Sequence, residues 1–168
     1  GRTEATMRLL IVDDDPKFRS YVSTGLAESG IDSVTAGDPA AALEVLRTDK
    51  HGFDLILLDV MMPVKTGWDL LTELRQEGRE TPVIFSSPHS GREYPASLLS
   101  RSALDEHSIR SSEDAFVDRL FAQAPLAGAP LIVARAPRAY IDLNRASDEL
   151  DPALIDGVMR APHNPRVN

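Results

Sequence analysis

Arg8-Leu-Leu-Ile-Val-Asp-Asp-Asp-Pro16, RLLIVDDDP, is the stretch on which the fold turns. Four consecutive apolar residues, Leu9 to Val12, mark a strand buried on both faces. Three aspartates follow at its C-terminal end, and Pro16 suits the first turn of a helix. Phe18, Tyr21, Val22 and Leu26 then recur at helical spacing, with Gly30 as a stop signal. A buried strand, an acidic end and an amphipathic helix are the first unit of an α/β chain.

The unit repeats outward. Ile31 to Ala36 reads as a second strand, and Gly37 or Asp38 caps a helix through Ala42, Leu43 and Leu46. Phe53 to Leu58 is a third strand, Trp68 to Leu74 a third helix, and Pro82 to Phe85 a fourth strand. Strands alternating with helices predict a doubly wound parallel sheet, flavodoxin-like in layout. Ligands of such sheets gather beyond the C-terminal strand ends, where this chain places Asp13, Asp14, Asp59 and Ser87.

Beyond Ser87 the pattern is less regular. A helix is expected near Ala96 to Leu104, and an amphipathic one over Ser112 to Phe121 with Ser112 as its cap. Pro130 to Ala134 reads as a strand, Ala139 to Leu143 as another, and Asp151 to Met159 as a helix. No internal repeat or low-complexity segment is visible.

Composition excludes several classes. The chain has 168 residues, a net charge of −8 and no cysteine, so disulfides, thiolate metal sites and cysteine nucleophiles are out. The acidic balance argues against a nucleic-acid surface, which needs clustered Lys and Arg. No apolar run is long enough for a membrane-spanning helix, and a cytoplasmic location is the expectation. Gly1 to Thr6 reads as a leader or cloning remnant before Met7. Lys17, Lys50 and Lys65 are the only lysines, whereas His89, His107 and His163 lie in the second half.

Three carboxylates at one sheet edge repel one another unless a cation sits among them. Hard oxygen ligands with room for water suit Mg²⁺. A carboxylate beside Mg²⁺ is a competent nucleophile toward phosphorus. Capping of the following helices is the plainer reading, and for Asp15 it is the preferred one.

LLIVDDDP, FDLILLDVMMPVKTGWDLL and TPVIFSS together resemble the response regulator receiver domain of two-component signalling, over about Met7 to Ser87. The resemblance implies Asp59 as phosphoacceptor, and Asp13, Asp14, Asp59 and the Met61 carbonyl as Mg²⁺ ligands. It implies Ser87 as the switch hydroxyl, with Pro63 and Gly67 in the loop after the acceptor. The expected partner is a histidine kinase or a small phosphodonor. The family also needs a lysine at the end of its fifth strand, and no lysine follows Lys65. Arg135 is the nearest candidate, on a strand reached after roughly twice the usual connection. Arginine keeps the charge but not the compact ammonium geometry. Phosphoryl acceptance with impaired switching is therefore the expectation.

A second resemblance begins inside the first. SSPHSGREYP, SSEDAFVDRLF and PRAYIDLNRASDELDP resemble the N-formylglutamate amidohydrolase family, over about Val83 to Asn168. That resemblance implies a zinc-activated water attacking an amide. His89 and either Glu113 or Asp114 would be zinc ligands, with Arg138, Asn144 and Arg145 binding substrate carboxylates. Glu113 and Asp114 equally suit a helix start, Asp142 and Arg145 a structural pair, and His107 and His163 the surface. The family continues beyond the point matching Asn168, so a truncated hydrolase is expected, and zinc is the weaker expectation. The overlap at Val83 to Ser87 predicts a chimera of segments 7–87 and 88–168 joined at a shared strand. One sheet completed by Leu131 to Ala134 is the leading arrangement. Separately packed fragments, associating with a second copy through sheet edges, are the rival. A chimera without native activity is the remaining alternative.

Overall fold

The computed structural model describes residues 6–142. Five parallel strands form one sheet: β1 (Arg8–Val12), β2 (Asp32–Ala36), β3 (Leu55–Asp59), β4 (Val83–Ser87) and β5 (Leu131–Val133), in the order β2-β1-β3-β4-β5. The flavodoxin-like layout expected from the alternating pattern is thus present. β5 joins the sheet through Phe85 opposite Leu131, Ser86 opposite Ile132 and Ser87 opposite Val133. The single-sheet arrangement holds, and the separately packed one does not.

Between the strands run α1 (Pro16–Glu28), α2 (Pro39–Thr48) and α3 (Gly67–Gln76). Each starts where its sequence supplies a cap. Asp15 accepts from the backbone N–H groups of Lys17 and Phe18, Asp38 from Ala41, and Thr66 forms a reciprocal box with Asp69. Side chains alternate across the pleat. Leu10, Val12, Ile56, Leu58, Val83 and Phe85 enter one core with Leu43 and Leu46 of α2 and Leu70, Leu71 and Leu74 of α3. Leu9, Ile11 and Phe18 are buried outside that cluster.

The second half contributes to the same core. Val117, Phe121, Ala124 and Ala129 belong to it, and the Phe121 ring meets Phe85 edge-on at 5.5 Å and Trp68 at 6.4 Å. Its helices are shorter than the sequence predicts. α4 spans only Ala96–Leu99 and α5 only Val117–Leu120. Ser112 closes a 3-10 turn (Ser108–Ser112) instead of capping a long helix, and Phe116 takes a left-handed backbone, φ 65°. One local and one tertiary bond explain the interruption: Glu113 pairs with Arg110 three residues earlier, and the Asp114 N–H donates to the His89 carbonyl. Arg138 to Tyr140 form a turn and no strand runs from Ala139 to Asp142, because the N–H groups of Tyr140 and Ile141 both donate to the Pro137 carbonyl. The helix expected over Asp151 to Met159 lies outside the described residues. No helix among the described residues is long and apolar enough to cross a membrane.

Candidate functional site

Asp13 leaves β1 with its N–H donated to the Ala36 carbonyl, which fixes it beside β2. Its Oδ1 accepts from the Asp15 N–H at 2.8 Å, and its carbonyl accepts from the Arg19 guanidinium. Asp59 ends β3, in register with Ser86 of β4, and its Oδ1 accepts from the Met61 N–H at 3.2 Å. Parallel pairing of β1 with β3 therefore brings Asp13, Asp14 and Asp59 together. One carboxylate oxygen from each lies within 4.8 Å of the others, a grouping able to hold a metal ion.

The electrostatics follow from that crowding. Burial, then the neighbouring Asp14 and Asp15, push the Asp13 carboxyl up to about 6. Burial, then Asp13, push Asp59 up to about 8, with Asp14 and Asp114 adding to the rise. Both groups resist ionising in the metal-free protein, and a divalent cation would reverse the penalty. Hard carboxylate oxygens at this spacing fit Mg²⁺ by the chemistry of the donor set.

The loop after Asp59 is built tightly against the site. The Gly67 N–H donates to the Val60 carbonyl, and a Cβ on Gly67 would stand 2.3 Å from the Asp59 carbonyl oxygen. Only glycine fits that approach. Met61 is half exposed, with its N–H engaged by Asp59. Ser87 is 1 % exposed, and its Oγ has no hydrogen-bond partner among the described residues. Arg135 is not brought to the carboxylates: it is exposed and paired with Glu93 at 2.9 Å.

The residues of the second resemblance divide into two groups. His89 is buried at 8 % exposure, with Nδ1 3.7 Å from Asp114 and Nε2 3.6 Å from Asp142. Arg138 stands 3.5 Å from the same Nδ1 and pairs with Asp142 at 2.9 Å. Glu113 is elsewhere, buried against Arg110 and beside the Tyr94 hydroxyl, which burial and Glu113 push up to about 12. Asn144 and Arg145 lie outside the described residues. Sequence reasoning missed Asp142 as a partner of His89. Its spacing of four from Arg138 signals only the Arg138–Asp142 pair, and no local pattern points to His89.

Comparison with known proteins agrees with the geometry. The response regulator receiver domain family matches residues 9–107, and the N-formylglutamate amidohydrolase family matches residues 81–165. The transcriptional activator protein IrlR of Burkholderia pseudomallei is 42% identical over 79 residues, 47% of this chain and 33% of that protein. The transcriptional activator protein PfeR of Pseudomonas aeruginosa is 32% identical over 154 residues, 90% of this chain and 49% of that protein. The chain thus spans between a third and a half of these relatives' length. A response regulator receiver domain protein of Clostridium thermocellum superposes with TM-score 0.56 at 19% identity, covering 82% of this chain and 88% of that one, which shows the shared fold. On its parallel sheet, its acidic strand ends and the match over 9–107, the chain belongs to the response regulator receiver family, and its residues 81–165 also match the N-formylglutamate amidohydrolase family.

Proposed function

We propose that Asp59 accepts a phosphoryl group, and that the chain is a Mg²⁺-dependent phosphoacceptor module impaired in switching. The observation that carries this reading is the gathering of Asp13, Asp14 and Asp59 within 4.8 Å at the C-terminal edge of a parallel sheet. Asp13, Asp14, Asp59 and the Met61 carbonyl are the residues that would hold the ion. When bound, Mg²⁺ supplies positive charge that favours ionised carboxylates and offsets charge on the phosphoryl oxygens. An Asp59 carboxylate oxygen attacks phosphorus, the donor's bond to phosphorus breaks, and its electron pair leaves with the donor. The product is an aspartyl-phosphate. The unpartnered Ser87 hydroxyl is a suitable donor to one of the new phosphoryl oxygens.

Impaired switching is inferred from charge. The chain has no lysine after Lys65, Lys65 itself pairs with Glu73, and Arg135 pairs with Glu93. A histidine kinase or a small phosphodonor is the expected source of the phosphoryl group, in a cytoplasmic setting. A fusion of segments 7–87 and 88–168 at β4 accounts for the overlap of the two family matches at residues 81–107. Its second segment would then serve to complete the sheet and would not act as a hydrolase.

The test is incubation with acetyl phosphate and Mg²⁺, read by intact mass. One added phosphoryl group, absent without Mg²⁺ and absent in Asp59→Asn, is expected. No mass change in the folded protein, or equal labelling of Asp59→Asn, would refute the reading. Trp68, stacked on Phe85 at 6.1 Å, gives a fluorescence readout of the same event.

A further inference from the structure

The amidohydrolase resemblance implies a zinc ion on His89, and the groups around that imidazole do not fit one. Arg138 Nη1 lies 3.5 Å from Nδ1. A guanidinium only donates, so in that contact Nδ1 is the acceptor, while the buried Nε2 has no hydrogen-bond partner among the described residues. A cation at Nδ1 would stand against the guanidinium. Nε2 faces Asp142 at 3.6 Å, and that carboxylate already accepts from Arg138 Nε at 2.9 Å. The two carboxylates thus lie off opposite nitrogens of the ring, whereas zinc needs three ligands converging on one point. Among the described residues the grouping competent for a metal is Asp13, Asp14 and Asp59, not this one.

We propose that His89 is a metal-free positioning residue, a clamp that fixes the chain just beyond β4 and so presets the Ser87 hydroxyl. The role assigned to Ser87 rests on the phosphoacceptor reading of Asp59; the clamp itself does not. His89 follows Ser87 by two residues, and most of the bonds around it tie that short segment to later parts of the chain. The Ser87 carbonyl accepts from the Ala134 N–H at 3.2 Å and from Ser90 Oγ at 3.1 Å. The His89 carbonyl accepts from the Asp114 N–H at 3.0 Å, while its ring sits between Asp114, Asp142 and Arg138. Gly91 presses on Ala136 so closely that a Cβ there would stand 2.0 Å from the Ala136 carbonyl oxygen. Residues 87–91 are therefore held from three sides, and Ser87 is buried with an Oγ that has no partner among the described residues. A buried unsatisfied hydroxyl costs free energy, and the contacts that fix the backbone of residues 87–91 keep Ser87 buried in spite of that cost.

The experiment compares the whole chain with His89→Ala, His89→Gln and Asp142→Asn. Glutamine retains an acceptor for Arg138 and much of the ring's bulk beside Asp142. Amide hydrogen exchange at residues 87–91 should quicken by about tenfold or more in His89→Ala, through easier local opening, and return toward the parent rate in His89→Gln. The aspartyl-phosphate lifetime should change in His89→Ala in the same direction as in Ser87→Ala, with the double variant adding nothing further. Equilibrium dialysis against zinc, in the Asp59→Asn background, should give no stoichiometric binding that His89→Ala removes. Zinc held one to one and lost with His89, or unchanged exchange at residues 87–91 in folded His89→Ala, would overturn the proposal. If the parent chain takes no phosphoryl group, the phosphoacceptor reading fails while exchange and dialysis still decide the clamp. Should His89→Ala fail to fold, Asp142→Asn carries the same comparison from the other side of the ring.

Discussion

Gly67 lies directly against the carbonyl oxygen of Asp59, with room there for a hydrogen and none for a methyl group. The same missing Cβ would meet the Phe85 ring at 3.0 Å and Leu58 at 3.2 Å. Backbone cannot yield as a flexible side chain can. Gly67→Ala should therefore cost about 1–3 kcal/mol, as overpacking does. It should also shift Asp59 away from Asp13, so a drop in Mg²⁺ affinity larger than the loss of stability predicts is expected. Urea denaturation paired with Mg²⁺ titration of Trp68 fluorescence measures both. A folded variant with parental Mg²⁺ affinity would show that the contact does not set the site.

Val64, in the same loop, is fully exposed and holds φ 72°, a region β-branched residues avoid. Its strain should be of the order of 1–3 kcal/mol, and its side chain makes no buried contact to lose. Glycine enters that region freely but costs unfolded-state entropy. The net expectation for Val64→Gly is a gain of about 1 kcal/mol, or a Tm rise of about 2–4 °C, with phosphoryl acceptance intact. Calorimetry decides it, and a lower Tm would mean that the loop stores no such strain.

Much of this was legible because local signals agreed. The apolar runs ending in Asp13 and Asp59 fixed strand, direction and the shared edge, and Asp15, Asp38 and Thr66 capped helices where short polar side chains should. The second half was read less well for a physical reason. Helical periodicity over Ser112 to Phe121 is real, yet the Asp114 N–H is spent on the His89 carbonyl and Glu113 on the preceding turn at Arg110, so a long-range bond and a local turn outbid the helix. Arg135 is the cation nearest the expected fifth-strand position, and Glu93, remote in sequence, takes its charge. In the sequence Asp142 suits a pair with Arg145, because no local pattern announces a partner 53 residues away at His89.

Phe121 tests whether both halves share one folding unit. It is 8 % exposed, and its ring contacts Phe85 of β4 and Trp68 of α3. Phe121→Ala should cost about 3–5 kcal/mol and alter the emission of Trp68, fifty-three positions earlier in the chain. A single unfolding transition monitored by Trp68 and by far-UV circular dichroism should shift as one. Two separated transitions, or an unmoved Trp68 signal, would mean that the second half packs without stabilising the first.

The acidic site predicts an unusual pH dependence. Folded Asp13 and Asp59 titrate near about 6 and about 8, both above an unfolded aspartate near about 4. Between those limits the folded chain binds more protons than the unfolded one, so unfolding free energy falls as pH rises. Below about pH 4 both states are protonated and this penalty vanishes. Paired surface carboxylates such as Asp49 and Glu77, held below their ordinary values, act oppositely at the acid end. The difference between parent and Asp59→Asn isolates the pocket. Without metal, Asp59→Asn should be the more stable by a margin that widens from pH 5 to pH 8. Saturating Mg²⁺ should stabilise the parent increasingly over the same range and leave Asp59→Asn nearly unmoved. Chemical denaturation at four pH values, with and without Mg²⁺, gives the comparison. A margin independent of pH would mean that Asp59 ionises as freely in the fold as in water, and the crowding of Asp13, Asp14 and Asp59 would then carry no electrostatic cost for a metal to relieve.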